Sequence, residues 1–138
     1  GQIMDRTGKL LSLPFPSGRS LDELSTAAPG KDKFKVKTNQ LSFSLSGLEN
    51  KIEVYFRQTS NDAMTAAYAV RSVCDAVVRT TKDALQLYPD YPVVFSGGVA
   101  SNSMLRMVCT EFEAVFAPPA YSTDNAMGAA VLAWLQGN

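Results

Sequence analysis

The sequence predicts an α/β domain, and three observations carry that expectation. Helical and strand-like periodicities alternate through the second half of the chain. A short apolar run, Val93-Val94-Phe95, leads directly into two glycines and a further helical pattern. The 138 residues are 46% hydrophobic and 19% charged, a globular composition too apolar for a disordered tail. Strands alternating with helices favour a partly parallel sheet. A chain of this length suits one domain and buries about 68% of its unfolded surface.

From the start, Ile3, Met4, Leu10 and Leu11 share a helical face over residues 3–13. Pro14 and Pro16 stop it, and Pro14-Phe15-Pro16-Ser17-Gly18 reads as a stiff loop. A short helix is expected from Leu21 with Ser20 as N-cap, ending at Ala28-Pro29-Gly30. The alternation Leu41-Ser42-Phe43-Ser44-Leu45-Ser46 reads as a half-buried strand, or as part of a hairpin turning at Thr38-Asn39-Gln40. Residues 49–58 fit strand or helix. Residues 61–88 give the clearest element. Ala63, Ala66, Ala67, Val70, Val73, Cys74, Val77 and Val78 recur at threes and fours after Ser60-Asn61-Asp62.

Pro89, Asp90 and Pro92 then mark a loop. Val93-Val94-Phe95 suits a strand buried on both faces. A helix of about residues 101–112 follows, with Met104, Leu105, Val108 and Cys109 inward. Ala114-Val115-Phe116-Ala117 is a second strand, stopped by Pro118-Pro119. A final helix is expected from Thr123-Asp124 to Leu135, lined by Met127, Ala130, Val131 and Trp134.

Composition narrows the chemistry. The chain has 13 basic and 13 acidic side chains and no histidine. A Ser-His-Asp triad, a Cys-His pair and an HExxH zinc site are therefore excluded within it. Charge balance argues against a free-standing basic platform for nucleic acid. Cys74 and Cys109 are too far apart for a CxxC knuckle. They read as buried free thiols of a reducing cytosol, with a disulfide as the lesser alternative. No apolar run reaches the roughly 18 residues of a membrane span, and Gly1-Gln2-Ile3-Met4-Asp5-Arg6 is not a signal peptide. A start without Met reads as a cut inside something longer.

Two places have the address of a ligand site, beyond a strand end and at a helix start. In Ser96-Gly97-Gly98-Val99-Ala100-Ser101-Asn102, Gly97 and Gly98 would let backbone approach a ligand, and Asn102 could bond a sugar hydroxyl. An ordinary strand-to-helix turn explains the same residues. In Ser122-Thr123-Asp124-Asn125, Asp124 is either an N-cap or one metal ligand, and three or four ligands are needed. Asp5 alone reads as a solvated acid paired with Arg6 or Lys9, and Gly18 as a turn glycine. Lys31, Lys33, Lys35 and Lys37 alternate as one solvated strand face or as edge protection, with RNA contact the lesser reading.

Four stretches in order, spanning nearly the whole chain, resemble the C-terminal part of the Kae1/TsaD/Gcp family, formerly O-sialoglycoprotein endopeptidase or peptidase M22-like. Gly1 to Arg6 with Lys9 to Gly18 is similar to GEAFDK…KLLGLPYPGG. Phe43-Ser44-Leu45-Ser46-Gly47-Leu48 is similar to FSFSGLK, and Ser96 to Arg106 to SGGVAANSxLR. Ser122-Thr123-Asp124-Asn125 resembles CTDN. The chain departs at Gln2 for Glu, at Ser17 for the first Gly of PGG, and at Ala126 and Met127 for the Gly-Ala of DNGAM.

The resemblance implies the second lobe of an actin/sugar kinase/Hsp70-like (ASKHA, ribonuclease H-like) fold over residues 1–138, with the N-terminal lobe outside this chain. It implies threonylcarbamoyl transfer from threonylcarbamoyl-adenylate to N6 of an adenosine in tRNA. Asp5, Gly18 and Asn102 would hold the adenylate. Asp124 would be one ligand of a catalytic iron or zinc in the full-length parent, completed by an HxxxH motif upstream. Expected partners are the missing lobe, tRNA and the proteins of the threonylcarbamoyladenosine machinery, in the cytoplasm and without membrane. The 138 residues alone should be inactive, bind no cofactor tightly and self-associate through the uncovered cleft face. The competing reading is a non-catalytic nucleotide- or partner-binding lobe of a regulatory paralogue. A glycoprotein endopeptidase is disfavoured, because nothing supplies an activated nucleophile or a complete metal-water site.

Overall fold

The computed structural model describes residues 1–118, Ala120 and residues 133–136. The chain divides into two compact units, Gly1–Tyr91 and Pro92–Asn138.

The first unit is helical with one hairpin: α1 (Gln2–Leu10), α2 (Gly18–Thr26), β1 (Lys37–Asn39), β2 (Ser42–Ser44), α3 (Leu48–Thr59) and α4 (Asp62–Leu87). Its spine is α4, 26 residues long. Asn61 starts it in an extended conformation, and its Oδ1 accepts the Met64 N–H at 2.9 Å. Tyr88 ends it (φ −133°, ψ 65°), as expected of a residue preceding proline. Ala66, Ala67, Ala69, Val70 and Ala76 are fully buried. Small side chains there let α1, α2, α3 and β1 all pack on α4. The larger core pieces come from the neighbours: Leu21 on α2, Leu48 and Ile52 on α3, and Val36 before β1.

The segment leading into β1 is tied to α4 by polar side chains. Ser72 Oγ accepts the Phe34 N–H at 2.8 Å and donates to Tyr68 O at 2.6 Å. Arg79 donates to Val36 O at 2.7 Å and to Thr38 Oγ1 at 2.9 Å. Asp75 accepts from Arg79 Nε at 2.9 Å and from Lys33 Nζ. Arg6 on α1 pairs with Glu49 on α3 at 2.5 Å.

The second unit holds β3 (Val94–Phe95), a 3-10 turn over Gly98–Ser101, α5 (Ser103–Val108), a second 3-10 turn over Thr110–Phe112, and β4 (Val115–Phe116). The strands pair in parallel, Val94 opposite Val115 and Phe95 opposite Phe116. On one face the two phenylalanine rings stack with centroids 5.1 Å apart, and Arg106 lies over Phe116 at 4.8 Å. Arg106 also donates to Ala100 O at 3.0 Å and Ala117 O at 3.2 Å. Among the unit's described residues Ala100, Leu105 and Cys109 are the buried apolar side chains.

The mixed α/β composition and the parallel strand pair agree with the sequence expectation. So do α1, the inward Leu105 and Cys109, and the burial of both cysteines. Residues 49–58 resolve as helix. Five details differ. The helix expected over about residues 101–112 is the shorter α5, Ser103–Val108, with a 3-10 turn on either side. The second helix starts at Gly18, so Ser20 lies inside it and is not its N-cap. The hairpin turns at Gln40-Leu41, one position later than expected, with Gln40 at φ 48°. Leu41, Ser42, Phe43 and Ser44 are exposed rather than half-buried, although both hairpin strands touch α4. Val94 is 63% exposed rather than buried on both faces, because among the described residues only β4 flanks its strand. The expected last helix lies outside the described residues except for 133–136, which are helical.

Candidate functional site

Asp5 and Gly18 meet through the stiff loop. Asp5 sits half-buried on α1. Its Oδ1 accepts the Ser17 N–H at 3.1 Å, twelve residues away. That bond satisfies a backbone donor at the start of α2, where no intrahelical acceptor exists. The expected pairing of Asp5 with Arg6 or Lys9 is therefore incorrect: Arg6 turns to Glu49, and Asp5 faces the helix start. The loop between contains a cis Phe15-Pro16 peptide bond. Ser17 itself is 1% exposed, and its hydroxyl donates to Pro14 O at 3.1 Å.

A Cβ built on Gly18 meets no atom within 4 Å. Gly18 is also absent from the residues of positive φ. Among the described residues neither packing nor backbone conformation requires glycine there. Gly8 is the opposite case. A Cβ on it would lie 1.9 Å from Ser17 Oγ and 2.1 Å from Ser17 Cβ. The Ser17 side chain occupies the space that any larger residue at position 8 would need, so the serine found where the resemblance expects glycine fits because Gly8 has no side chain.

In the second unit, Gly97 has φ 97° and ψ 164°, a region essentially confined to glycine. Its conformation alone explains the residue. Gly98 has open space around its Cβ position. Asn102 is 8% exposed and serves as N-cap of α5, its Oδ1 accepting the Leu105 N–H at 3.0 Å. The expected bond to a sugar hydroxyl would thus fall to its amide nitrogen. Next to it, Ser101 Oγ is buried without a hydrogen-bond partner among the described residues.

Asp124 and its Ser122-Thr123-Asp124-Asn125 setting lie outside the described residues. Among the described residues no cluster of three or more His, Cys, Asp or Glu could hold a metal ion. The described side chains therefore do not make a metal centre by themselves. No described helix is long and apolar enough to cross a membrane. Burial foremost, and Glu111 second, push the Cys109 thiol up, away from the thiolate a nucleophile needs. Asp75 is held below the ordinary carboxyl range. Burial alone would raise it, but hydrogen bonds from Lys33 and Arg79 outweigh that cost.

Sequence reasoning passed over Gly8, Ser17 and the Asp75 set. A glycine in mid-helix, costing about 1 kcal/mol against alanine, was the available signal for Gly8. The link from Asp75 to Lys33 spans 42 residues and leaves no local pattern.

A model of the family described as tRNA N6-adenosine threonylcarbamoyltransferase matches residues 1–131. Curated relatives bear the same description. One from Streptococcus suis (strain 05ZYH33) is 34% identical over 141 residues, covering 91% of this chain and 41% of that protein. One from Phytoplasma australiense is 32% identical over 152 residues, covering 100% of this chain and 45% of that protein. One from Aster yellows witches'-broom phytoplasma (strain AYWB) is 33% identical over 150 residues, covering 99% and 54%. The chain thus spans about half the length of the curated relatives it matches, or somewhat less.

Proposed function

The chain belongs to the tRNA N6-adenosine threonylcarbamoyltransferase family (TsaD), and from that premise we propose that it is the second, ASKHA-type lobe of a protein that transfers a threonylcarbamoyl group to tRNA. Residues 1–138 act as one lobe, and a first lobe completes the cleft. The ligand is threonylcarbamoyl-adenylate or a related adenine nucleotide. In the first unit Asp5 is offered as an acceptor for a ribose hydroxyl, with Gly18 letting the backbone come close; in the second, taken by itself, the Asn102 amide is offered as a donor to the ligand beside Gly97 and Gly98.

The observation that carries this reading is the Asp5–Ser17 bond. It fixes the carboxylate beside Gly18, a glycine that no packing contact or backbone angle among the described residues requires. A fixed acceptor next to open backbone suits a ribose hydroxyl rather than a structural ion pair. Holding the adenylate still against the incoming adenosine N6 is the lobe's contribution to rate. The nitrogen attacks the carbamoyl carbon, AMP leaves from it, and the N6 proton departs. Asp124 is offered as one ligand of an iron or zinc whose other ligands lie outside the chain. No step is routed through the metal, because the described residues do not form its site. Alone, the 138 residues bind nucleotide weakly and transfer nothing.

Gln2 and Ser17, which depart from the family's residues beside Asp5 and Gly18, favour a second reading: a lobe that binds nucleotide without catalysis. Titrating the protein that carries this chain with a non-hydrolysable adenylate analogue tests the pocket. Asn102→Asp keeps the cap oxygen and removes the amide donor. Asp5→Asn keeps an acceptor for Ser17 and removes the charge. Each should weaken binding about tenfold, the scale of one lost hydrogen bond. Unchanged affinity for both would remove the pocket. Binding without transfer to tRNA would select the non-catalytic reading.

A further inference from the structure

Four of the thirteen basic side chains and one of the thirteen acidic ones lie between residues 31 and 37. The structure gives this run a face. Lys31, Lys33, Lys35 and Lys37 are exposed, whereas Val36 is fully buried and Phe34 and Thr38 are half-buried. Ser72 and Arg79 of α4 hold the Phe34 N–H and the Val36 carbonyl, so the alternation is pinned to the unit's longest helix. Lys33 is consumed by Asp75. Asp32, the acid within the run, accepts from the Tyr55 hydroxyl at 2.9 Å. Among the described residues Lys31, Lys35 and Lys37 make no ion pair.

The polar face continues across the hairpin. Lys37 stands opposite Ser44, and Asn39 opposite Ser42. Opposite residues share a face, and all four are exposed. The Ser42 hydroxyl donates to Asn39 O and its oxygen can still accept; the Ser44 hydroxyl donates to Ser46 Oγ and already accepts the Ser46 N–H at 3.2 Å, which leaves it one lone pair. Alternate residues on an extended strand recur about every 6.6 Å. With Lys33 engaged by Asp75, the surface carries three ammonium groups, at positions 31, 35 and 37, flanked by hydroxyls and an amide. Phosphate and sugar contacts are made by these groups. A membrane-docking hairpin would need apolar side chains on this face, and the register places Phe43 on the other one.

We propose that the Lys31–Lys35–Lys37 face with Asn39, Ser42 and Ser44 is a docking rail for the phosphate backbone of RNA. The proposal rests on reading the chain as part of a tRNA-modifying protein, and it assigns to the first unit a contact remote in chemistry from the adenylate pocket. It contributes affinity and register, not base recognition.

The test is titration of labelled tRNA with the 138-residue chain between about 50 and about 200 mM salt. The triple variant Lys31→Gln/Lys35→Gln/Lys37→Gln should bind about tenfold more weakly at the low end, with a log–log salt slope shallower by about two. The triple Arg variant should keep the affinity. Thermal unfolding of both variants should match the parent chain. Equal affinity and slope in the Gln variant would overturn the proposal, as would a parent chain that binds no tRNA. Lysine-dependent binding to phosphatidylserine vesicles or to polyglutamate without tRNA binding would assign the face to a membrane or an acidic protein, and would also overturn it. Loss of adenylate affinity is not expected in the Gln variant. A rail that fails while the adenylate titration succeeds leaves the pocket standing, and the reverse result leaves the rail.

Discussion

The two units bury themselves to different degrees. Gly1–Tyr91 wraps three helices and a hairpin around α4 and sinks Leu21, Val36, Leu48, Ile52 and Val70 to 1% exposure or less. In Pro92–Asn138 the described apolar interior is Ala100, Leu105 and Cys109, while Val94, Met107 and Val115 are 60–65% exposed. Helices satisfy their own backbone and need one apolar partner each. Parallel strands need neighbours and cover on both faces. The first unit meets its requirement from local sequence, and the second presents a sheet that the described residues flank on one face.

The largest effect should come from the first unit's core. Leu21→Ala should cost about 3 kcal/mol in urea unfolding followed by far-UV circular dichroism. A loss under about 1 kcal/mol would mean that α2 does not close this core. Next, Gly8→Ala forces a methyl onto Ser17 and should cost about 2 kcal/mol. Adding Ser17→Gly should return most of it, and a double variant as unstable as the single would remove the steric account.

Asp75→Asn should cost about 1 kcal/mol at neutral pH by leaving Lys33 and Arg79 one neutral oxygen in place of two charged ones. The folded carboxyl titrates below its unfolded value of about 3.9. Its contribution is therefore complete above that pH and disappears as pH falls through the lowered folded value. The parent's extra stability over Asp75→Asn should narrow below about pH 4; a difference that persists at pH 2 would contradict the ion-pair origin. The smallest effect belongs to the second unit. Val94→Lys and Val115→Lys should each change the stability of the isolated chain by less than about 0.5 kcal/mol. A cost of 2 kcal/mol would show that this face is covered in solution.

Legibility in the sequence follows the same division. The long helix was readable because its cap, its apolar spacing and its terminating proline all lie in one window. The strand–Gly-Gly–helix order of the second unit was readable for the same reason, and Gly97 was found where backbone geometry demands glycine. Val94 misled because an apolar run signals burial without saying which segment covers it. Ser20 misled because a good capping residue three positions downstream looks the same as one at the helix start, and the true start is set by Asp5 reaching back across a loop. Of the candidate site residues, Asp5 was legible as an acid but not as an anchor, and Asn102 was legible as polar at a helix start but not as a buried cap.

The Gly8–Ser17 interlock has a bearing on descent. The constraint runs one way: enlarging residue 8 while serine sits at 17 is blocked by collision, whereas shrinking residue 17 first opens the way. Substitution at these two sites is therefore ordered, and a bulkier residue at 8 becomes reachable only after position 17 has lost its side chain.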